Sequence, residues 1–330
     1  VIANQKQVIT SGLWSGGAGS LTTFFTSSTQ SGSSGAYYYD LYKTDPATDG
    51  AAESQFGVTY GNYLGSGSLL THTGTDNGAS KAMYSQFSQL LLGPTKTQFT
   101  FVPSTVVQNI YVISIDRARI REKLDPGNWE LHLSASGGLV KLIDDSSTTT
   151  TTTVDTGGRV YNIVSGSISS GTTVVKTAAT AETTYGAYGL FYPDLGILVF
   201  NGDRLDSSDA GDLNLGTVQT SNVNANNSQK FYNAAKLGAK FDARREENVS
   251  STHYFCRVHN KEFNFSVNPT FFTASDGSMT NTSFVKDPQV YITTVGLYND
   301  ANELLAVAKM SKPLLKNFSR ESIVKVKLDF

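Results

Sequence analysis

The chain has 330 residues, with 26 Lys+Arg against 28 Asp+Glu, a formal net charge of −2 and only 16% charged residues. That balance argues against a nucleic-acid binder, which must neutralise several phosphates with clustered cations. A single cysteine, Cys256, excludes an intramolecular disulfide framework, and no apolar run approaches the ~20 residues of a membrane helix. The N-terminus has no charged stretch followed by an apolar one, so neither an anchor nor an export signal is expected. Abundant Ser, Thr, Gly and Asn, with 18 Phe, 16 Tyr and only 8 Pro, favour strands joined by polar turns.

Residues 11–36 are rich in Ser, Gly and Thr but carry Trp14 and Phe24-Phe25, a mixture expected to order against a neighbour. Residues 37–42 read as a strand, Asp45-Pro46 as a turn, and 54–60 as a strand with Phe56, Val58 and Tyr60 on one face. The clearest helix covers 80–92: Ser80 can cap it, Gly93-Pro94 ends it, and Met83, Phe87, Leu90 and Leu91 line one face. Short strands recur at 110–115, 129–133, 139–143, 160–164, 174–175, 185–191 and 197–200, with turns at 125–128, 137–138, 157–158 and 192–196. That spacing is typical of a sandwich or barrel. The Thr tract at 148–153 reads as an exposed loop tip.

A second helix is expected over about 228–246, where Phe231, Ala234, Leu237 or Gly238, and Phe241 recur at helical spacing. A strand follows at 252–258. Two apolar runs, 290–298 and 303–310, flank the turn-forming Asn299-Asp-Ala-Asn302 as in a β-hairpin. The chain closes on a half-buried strand, with Val324, Val326, Leu328 and Phe330 on one face and Lys325, Lys327 and Asp329 on the other. The expected fold class is mainly β with a few helices (α+β). A β-sandwich or barrel domain at 109–200 is expected to be inserted into a β-rich domain built from 1–108 and 201–330, which carries both helices.

Common catalytic signatures are missing: there is no Gly-rich phosphate loop, no Gly-x-Ser-x-Gly elbow and no His-x-x-x-His pair. His253-x-x-Cys256-x-x-His259 looks like a ligand set. In a strand, however, the histidines stand about 20 Å apart with the cysteine on the opposite face. No metal or other cofactor is expected. The carboxylate pairs Asp144-Asp145 and Asp203 with Asp206 read as solvated loops, and a glycosidase would need them facing each other across a cleft. Arg117, Arg119 and Arg121 are expected on a charged edge strand that could meet an acidic partner. The uncharged aromatic segments around Tyr37, Tyr38 and Tyr39 and around Phe263, Phe265, Phe271 and Phe272 suit either core or subunit contacts.

The strings 188–201, 250–258 with 262–270, and 291–330, with the Asp125-Pro-Gly-Asn-Trp129 turn, resemble virion structural proteins of contractile-tailed, T-even-like phages, particularly those of cyanobacteria. The resemblance covers roughly 36–64 and 109–330, and Ile292-Thr-Thr-Val-Gly-Leu-Tyr298 is also similar to a β-element of baseplate and fibre-attachment proteins. It implies a non-enzymatic subunit of the virion tail, assembled in the host bacterial cytoplasm, whose partners are copies of itself and other virion proteins. Neither nucleic acid nor membrane is an expected partner. Two other readings are a neck or capsid-decorating protein, and a carbohydrate-binding or glycan-hydrolysing tailspike-like protein. The last would take a host glycan in a cleft uniting Trp14 or Trp129 with Asp144 or Asp203.

Overall fold

The structure, a computed structural model, describes residues 2–27, 38–67, 78–102, 105–147, 153–168, 175–176, 186–209, 212–220, 225–273 and 275–329. It is mainly β with a few helices, the class expected from composition and pattern. The chain divides into two compact units, a large one, Ile9–Glu247, and a small one, Val1–Val8 with Asn248–Phe330.

β1 (Ile2–Gly12) passes from the small unit into the large one, where β2 (Ser20–Leu21), β3 (Phe25–Thr26), β4 (Tyr38–Tyr42) and β5 (Ser54–Asn62) follow. Next come α1 (Ala79–Leu91), β6 (Thr100–Phe101), β7 (Thr105–Val106), β8 (Asn109–Ile115) and the single turn α2 (Arg117–Ile120). The middle of the chain supplies β9 (Lys123–Ala135), β10 (Gly138–Asp144), β11 (Thr153–Asp155), β12 (Gly158–Ser167), β13 (Val175–Lys176), β14 (Gly189–Tyr192) and β15 (Ile197–Asn201). α3 (Gly202–Asp206), α4 (Asn227–Gly238) and the first part of β16 (Phe241–Val258) complete the unit.

Apart from β6 and β7, which pair with each other, these strands belong to one antiparallel sheet whose main path runs β16-β9-β10-β12-β14-β15-β8-β5-β4-β3. The expected insertion at 109–200 is therefore replaced by a shared sheet. β8 pairs with β5 from Phe56↔Ile115 to Asn62↔Asn109, and β9 pairs with β16 from Leu131↔Phe241 to Lys123↔Glu246. Those ladders join the middle of the chain to both flanks, and periodicity alone carries no information about which strand pairs with which.

The sheet curls because the N-terminal segment ties its ends. β2 pairs with β16 at Leu21↔Phe241, and β3 pairs with β4 at Phe25↔Tyr42. The Trp14 ring consequently sits 5.7 Å from Phe56 and 4.9 Å from Phe241, while Phe56 and Phe241 lie 5.4 Å apart. The polar stretch expected to order against a neighbour does so through Leu13, Trp14, Leu21 and Phe24, all buried. Strand alternation then divides two cores. Tyr111, Ile113, Leu198 and Phe200 face inward with Phe231 and Tyr232 of α4, whereas Ile110, Val112, Ile197 and Val199 face the opposite side with Tyr84 and Leu91 of α1.

Both helices differ in detail from expectation. α1 buries Ser80, Tyr84, Ser88 and Leu91, while Leu90 is exposed and Met83 and Phe87 are half-buried. The reason is Tyr84, whose hydroxyl donates to Val107 O (2.8 Å) and accepts from Phe99 N (2.9 Å), rotating the helix toward those partners. The N-cap position is Gly78 rather than Ser80, which lies inside the helix and donates to Ser66 O. α4 ends at Gly238 rather than near Glu246, and Phe241 begins a strand. A Cβ at Gly238 would lie 2.1 Å from His132 O, so the chain crosses β9 there too closely for a side chain. The expected turn at 125–128 lies inside β9 as an irregularity, with Gly127 at φ +79° donating to Asp144 Oδ2.

Gly61 sets the distance between β5 and α1, since a Cβ there would stand 2.9 Å from Tyr84 N. Gly61→Val is expected to destabilise the large unit by about 1–3 kcal/mol in denaturant unfolding, because backbone rather than a movable side chain meets the new methyls.

In the small unit, the distal part of β16 pairs with β19 (Ser322–Asp329) from Ser251↔Asp329 to Val258↔Ser322. Val324, Val326 and Leu328 share the less exposed face and Lys325, Lys327 and Asp329 the exposed one, as the alternation required; Phe330 lies outside the described residues. Between these strands come α5 (Ser283–Lys286), β17 (Val290–Tyr298) and β18 (Leu304–Lys316). β17 and β18 form the expected hairpin as a separate two-stranded sheet. Its turn closes on Asn299, whose Oδ1 accepts from Ala301 N (3.0 Å) and Glu303 N (2.8 Å), with Asn302 at φ +62°.

Candidate assembly surface

The polar clusters of the large unit are consumed by its own fold. Asp144 and Asp145 are buried rather than solvated. Asp144 accepts from Gly127 N (2.7 Å) and Ser146 N (2.9 Å), and Asp145 accepts from Asn162 N and Nδ2, each 2.9 Å. Burial pushes the Asp144 carboxyl above its ordinary value. Asp203 accepts from Asn109 Nδ2 (3.0 Å) and Asp206 from Thr217 N (2.6 Å), which pins the chain on either side of α3. Trp14 and Trp129 are each 1% exposed, so neither presents a face for a sugar to stack on.

One titratable cluster escaped the sequence reading. Glu130, 1% exposed, accepts from Ile168 N (2.6 Å) and Ser167 Oγ (3.1 Å) through one oxygen. Its other oxygen meets His132 Nε2 (2.5 Å) and Lys240 Nζ (3.3 Å). Burial alone would raise its pKa, but the hydrogen bonds from Ile168 and His132 and the charge of Lys240 outweigh it and hold it at about 2. A cleft of about 440 Å³ adjoins the cluster. A carboxylate with four partners and so low a pKa is a poor proton acceptor at neutral pH, which makes it an anchor for 167–168 rather than a general base. Strand alternation places Glu130 and His132 on one face. Lys240 was not legible because its approach depends on the β9–β16 register.

Arg117, Arg119 and Arg121 occupy α2 and its exit rather than an edge strand. Arg119 donates to Ser54 O (2.8 Å) and pairs with Glu53 (3.0 Å), Arg121 pairs with Glu247 (3.2 Å), and Arg117 donates to Asp194 O (3.0 Å). Arg119 and Arg121 are thus paired with carboxylates of the large unit, whereas Arg117 meets main-chain carbonyls. Of the tyrosines, Tyr39 is buried and stacks on Tyr232 (6.2 Å), which makes it core, while Tyr38 is exposed; Tyr37 lies outside the described residues. His253 and Cys256 project from opposite faces of β16, and among the described residues no His/Cys/Asp/Glu group could hold a metal. No helix among them is long and apolar enough to cross a membrane.

The small unit is built differently. Among its described large apolar side chains only Val326 is buried. Phe263 is 74% exposed and Phe265 59%, while Phe271 and Phe272 are half-buried; the rings of Phe265, Phe271, Phe272 and Phe284 contact one another at 5.2–5.7 Å. The β17–β18 ribbon exposes Tyr291, Tyr298, Leu304, Leu305 and Val307. A two-stranded ribbon without a covering layer is at best marginally stable in water, and contiguous exposed apolar surface marks an interaction site.

One buried cation holds the aromatic loop in place. Lys316, at the end of β18 and fully buried, donates to Asn264 Oδ1 (2.7 Å), Asn260 O (3.2 Å) and Glu262 O. Lys316→Met leaves those acceptors without the ammonium and is expected to cost the small unit about 2–4 kcal/mol. Hydrogen exchange should quicken in 260–264 while β8 of the large unit stays protected. The chain matches no protein-family model, and it is significantly similar to no curated protein and no solved structure.

Proposed function

We propose that this chain is a non-enzymatic structural subunit of a tailed-phage virion, a component of the tail baseplate that joins copies of itself and other virion proteins. The observation that carries the assembly role is the small unit, whose apolar side chains are left outside any core of its own. Subunits that complete their cores only on assembly have this character, since obligate interfaces resemble a core cut in half. The phage assignment rests on the resemblance of 188–201, 250–258 with 262–270, and 291–330. The saturated carboxylates and buried tryptophans of the large unit count against glycan cleavage or stacking.

Deleting 324–330 removes most of β19, the partner of β16 in the small unit. The truncated chain is expected to be absent from purified particles, whereas shortening the Thr tract at 148–153 leaves incorporation intact. Cryo-electron microscopy of the particle tests the reading directly. A chain found only at the distal tip as a free, carbohydrate-binding trimer overturns it.

A further inference from the structure

The β17–β18 ribbon carries a more specific assignment, which rests on the assembly reading above and names the surface and its occupant. Cross-strand pairs share a face, so Thr294↔Lys309, Gly296↔Val307 and Tyr298↔Leu304 define one face of the ribbon. Tyr298 is 62% exposed, Leu304 52% and Val307 57%. Gly296 lets the Tyr298 ring and Leu304 lie close over the strand, since a Cβ there would stand 2.9 Å from that ring and 3.4 Å from the Leu304 side chain. Lys309 is the one charged residue among these pairs.

Charge is distributed unevenly along the ribbon's length. Asp300 lies in the turn and Glu303 at its exit, so the tip is acidic, whereas Lys309 and Lys312 make the body of β18 basic. A ribbon of this kind complements itself when a second copy runs antiparallel to it: apolar face meets apolar face, and each acidic tip reaches the basic body of the other. A parallel arrangement would set like charges together, which disfavours it. We propose that this face is a two-fold, antiparallel contact between two copies of this chain.

The area is consistent with such a contact. Tyr291, Tyr298, Leu304, Leu305 and Val307 expose roughly 100 Å² each, a scale set by aromatic side chains of 150–250 Å² in full. Two copies would therefore bury on the order of 1,000 Å² of apolar surface. With the stems of Thr294 and Lys309 added, this reaches the lower end of specific interfaces, about 1,200 Å².

The test is analytical ultracentrifugation of the full chain across a concentration series. Wild type is expected to be a reversible dimer. Lys309→Glu with Lys312→Glu should weaken association by about tenfold or more. Adding Asp300→Lys and Glu303→Lys to the same chain should restore it, since the swapped ribbon is complementary again. The four-fold swap also distinguishes lost contact from lost fold, with circular dichroism of every variant as the control. A monomeric wild type, association unmoved by the lysine reversals, or a swap that stays weak while folded each overturns the proposal. These outcomes are separable from failure of the assembly reading. A chain present in particles whose ribbon contacts a different protein sinks the two-fold contact alone, and a chain that dimerises as described but is absent from particles sinks the virion assignment alone.

Discussion

Trp14→Ala is expected to destabilise the large unit by about 3–5 kcal/mol, the range for truncating a large buried aromatic. Trp14 is 1% exposed and packs on Phe56 and Phe241, which belong to strands near opposite ends of the sheet path. Its Nε1 also donates to Phe241 O at 2.8 Å, across a sequence separation of 227 residues. Alanine therefore removes the ring that fills the curl and leaves a buried carbonyl without its donor. Trp14→Phe keeps a ring but not the donor and should cost about 1–3 kcal/mol, the price of an unsatisfied buried acceptor. Equilibrium denaturation followed by fluorescence of the remaining Trp129 distinguishes the two. Equal losses for both variants would mean that the hydrogen bond, rather than the ring, holds the curl closed.

The second large effect is expected at Glu130. A carboxylate held at about 2 in the folded chain, against about 4.3 when unfolded, adds stability that is fully present above the unfolded value. That stability is lost as pH falls through the folded value. Glu130→Gln removes the charge that Lys240 and His132 face, so at pH 7 it should lower stability by about 3 kcal/mol. The deficit should shrink steadily from about pH 4.5 to about pH 2, where wild type also carries a proton at this position. Denaturant midpoints for both proteins across that window provide the measurement. A gap independent of pH would show that shape rather than charge matters at Glu130.

Most strands were legible because their side chains alternate: β4, β5, β8, β10, β12, β15 and the hairpin β17–β18 fall where apolar and turn residues place them. The hairpin was the clearest, since Asn299 and Asn302 are residues that favour the local turn they form. The existence of α1 and α4 was legible as well, but their orientation and ends were not, and the short α2 stands where a charged strand was expected. Tyr84 turns α1 toward Phe99 and Val107, and Gly238 stops α4 at β9, both through contacts with segments distant in sequence.

The candidate contact residues divide in the same way. Phe263 and Phe265 are exposed, but Tyr39, drawn from an equally aromatic run, is core because α4 brings Tyr232 against it. The three arginines were legible as a charged cluster, yet the carboxylates of Glu53 and Glu247 that pair with Arg119 and Arg121, and the Asp194 carbonyl that accepts from Arg117, come from distant segments.

By itself, then, the amino-acid order determined the β class, the existence of the two longer helices α1 and α4, the hairpin and the two-faced terminal strand, because each depends on neighbours within a few residues. Only the tertiary structure decided that the middle of the chain shares one curled sheet with both flanks, since strand pairing is set by register and by the N-terminal segment that ties β16 to β4. It also decided where apolar side chains find a core. The same alternation that is buried on both faces in β8 is left largely uncovered in β17 and β18, because burial depends on the layers packed against a strand and not on the strand's own pattern.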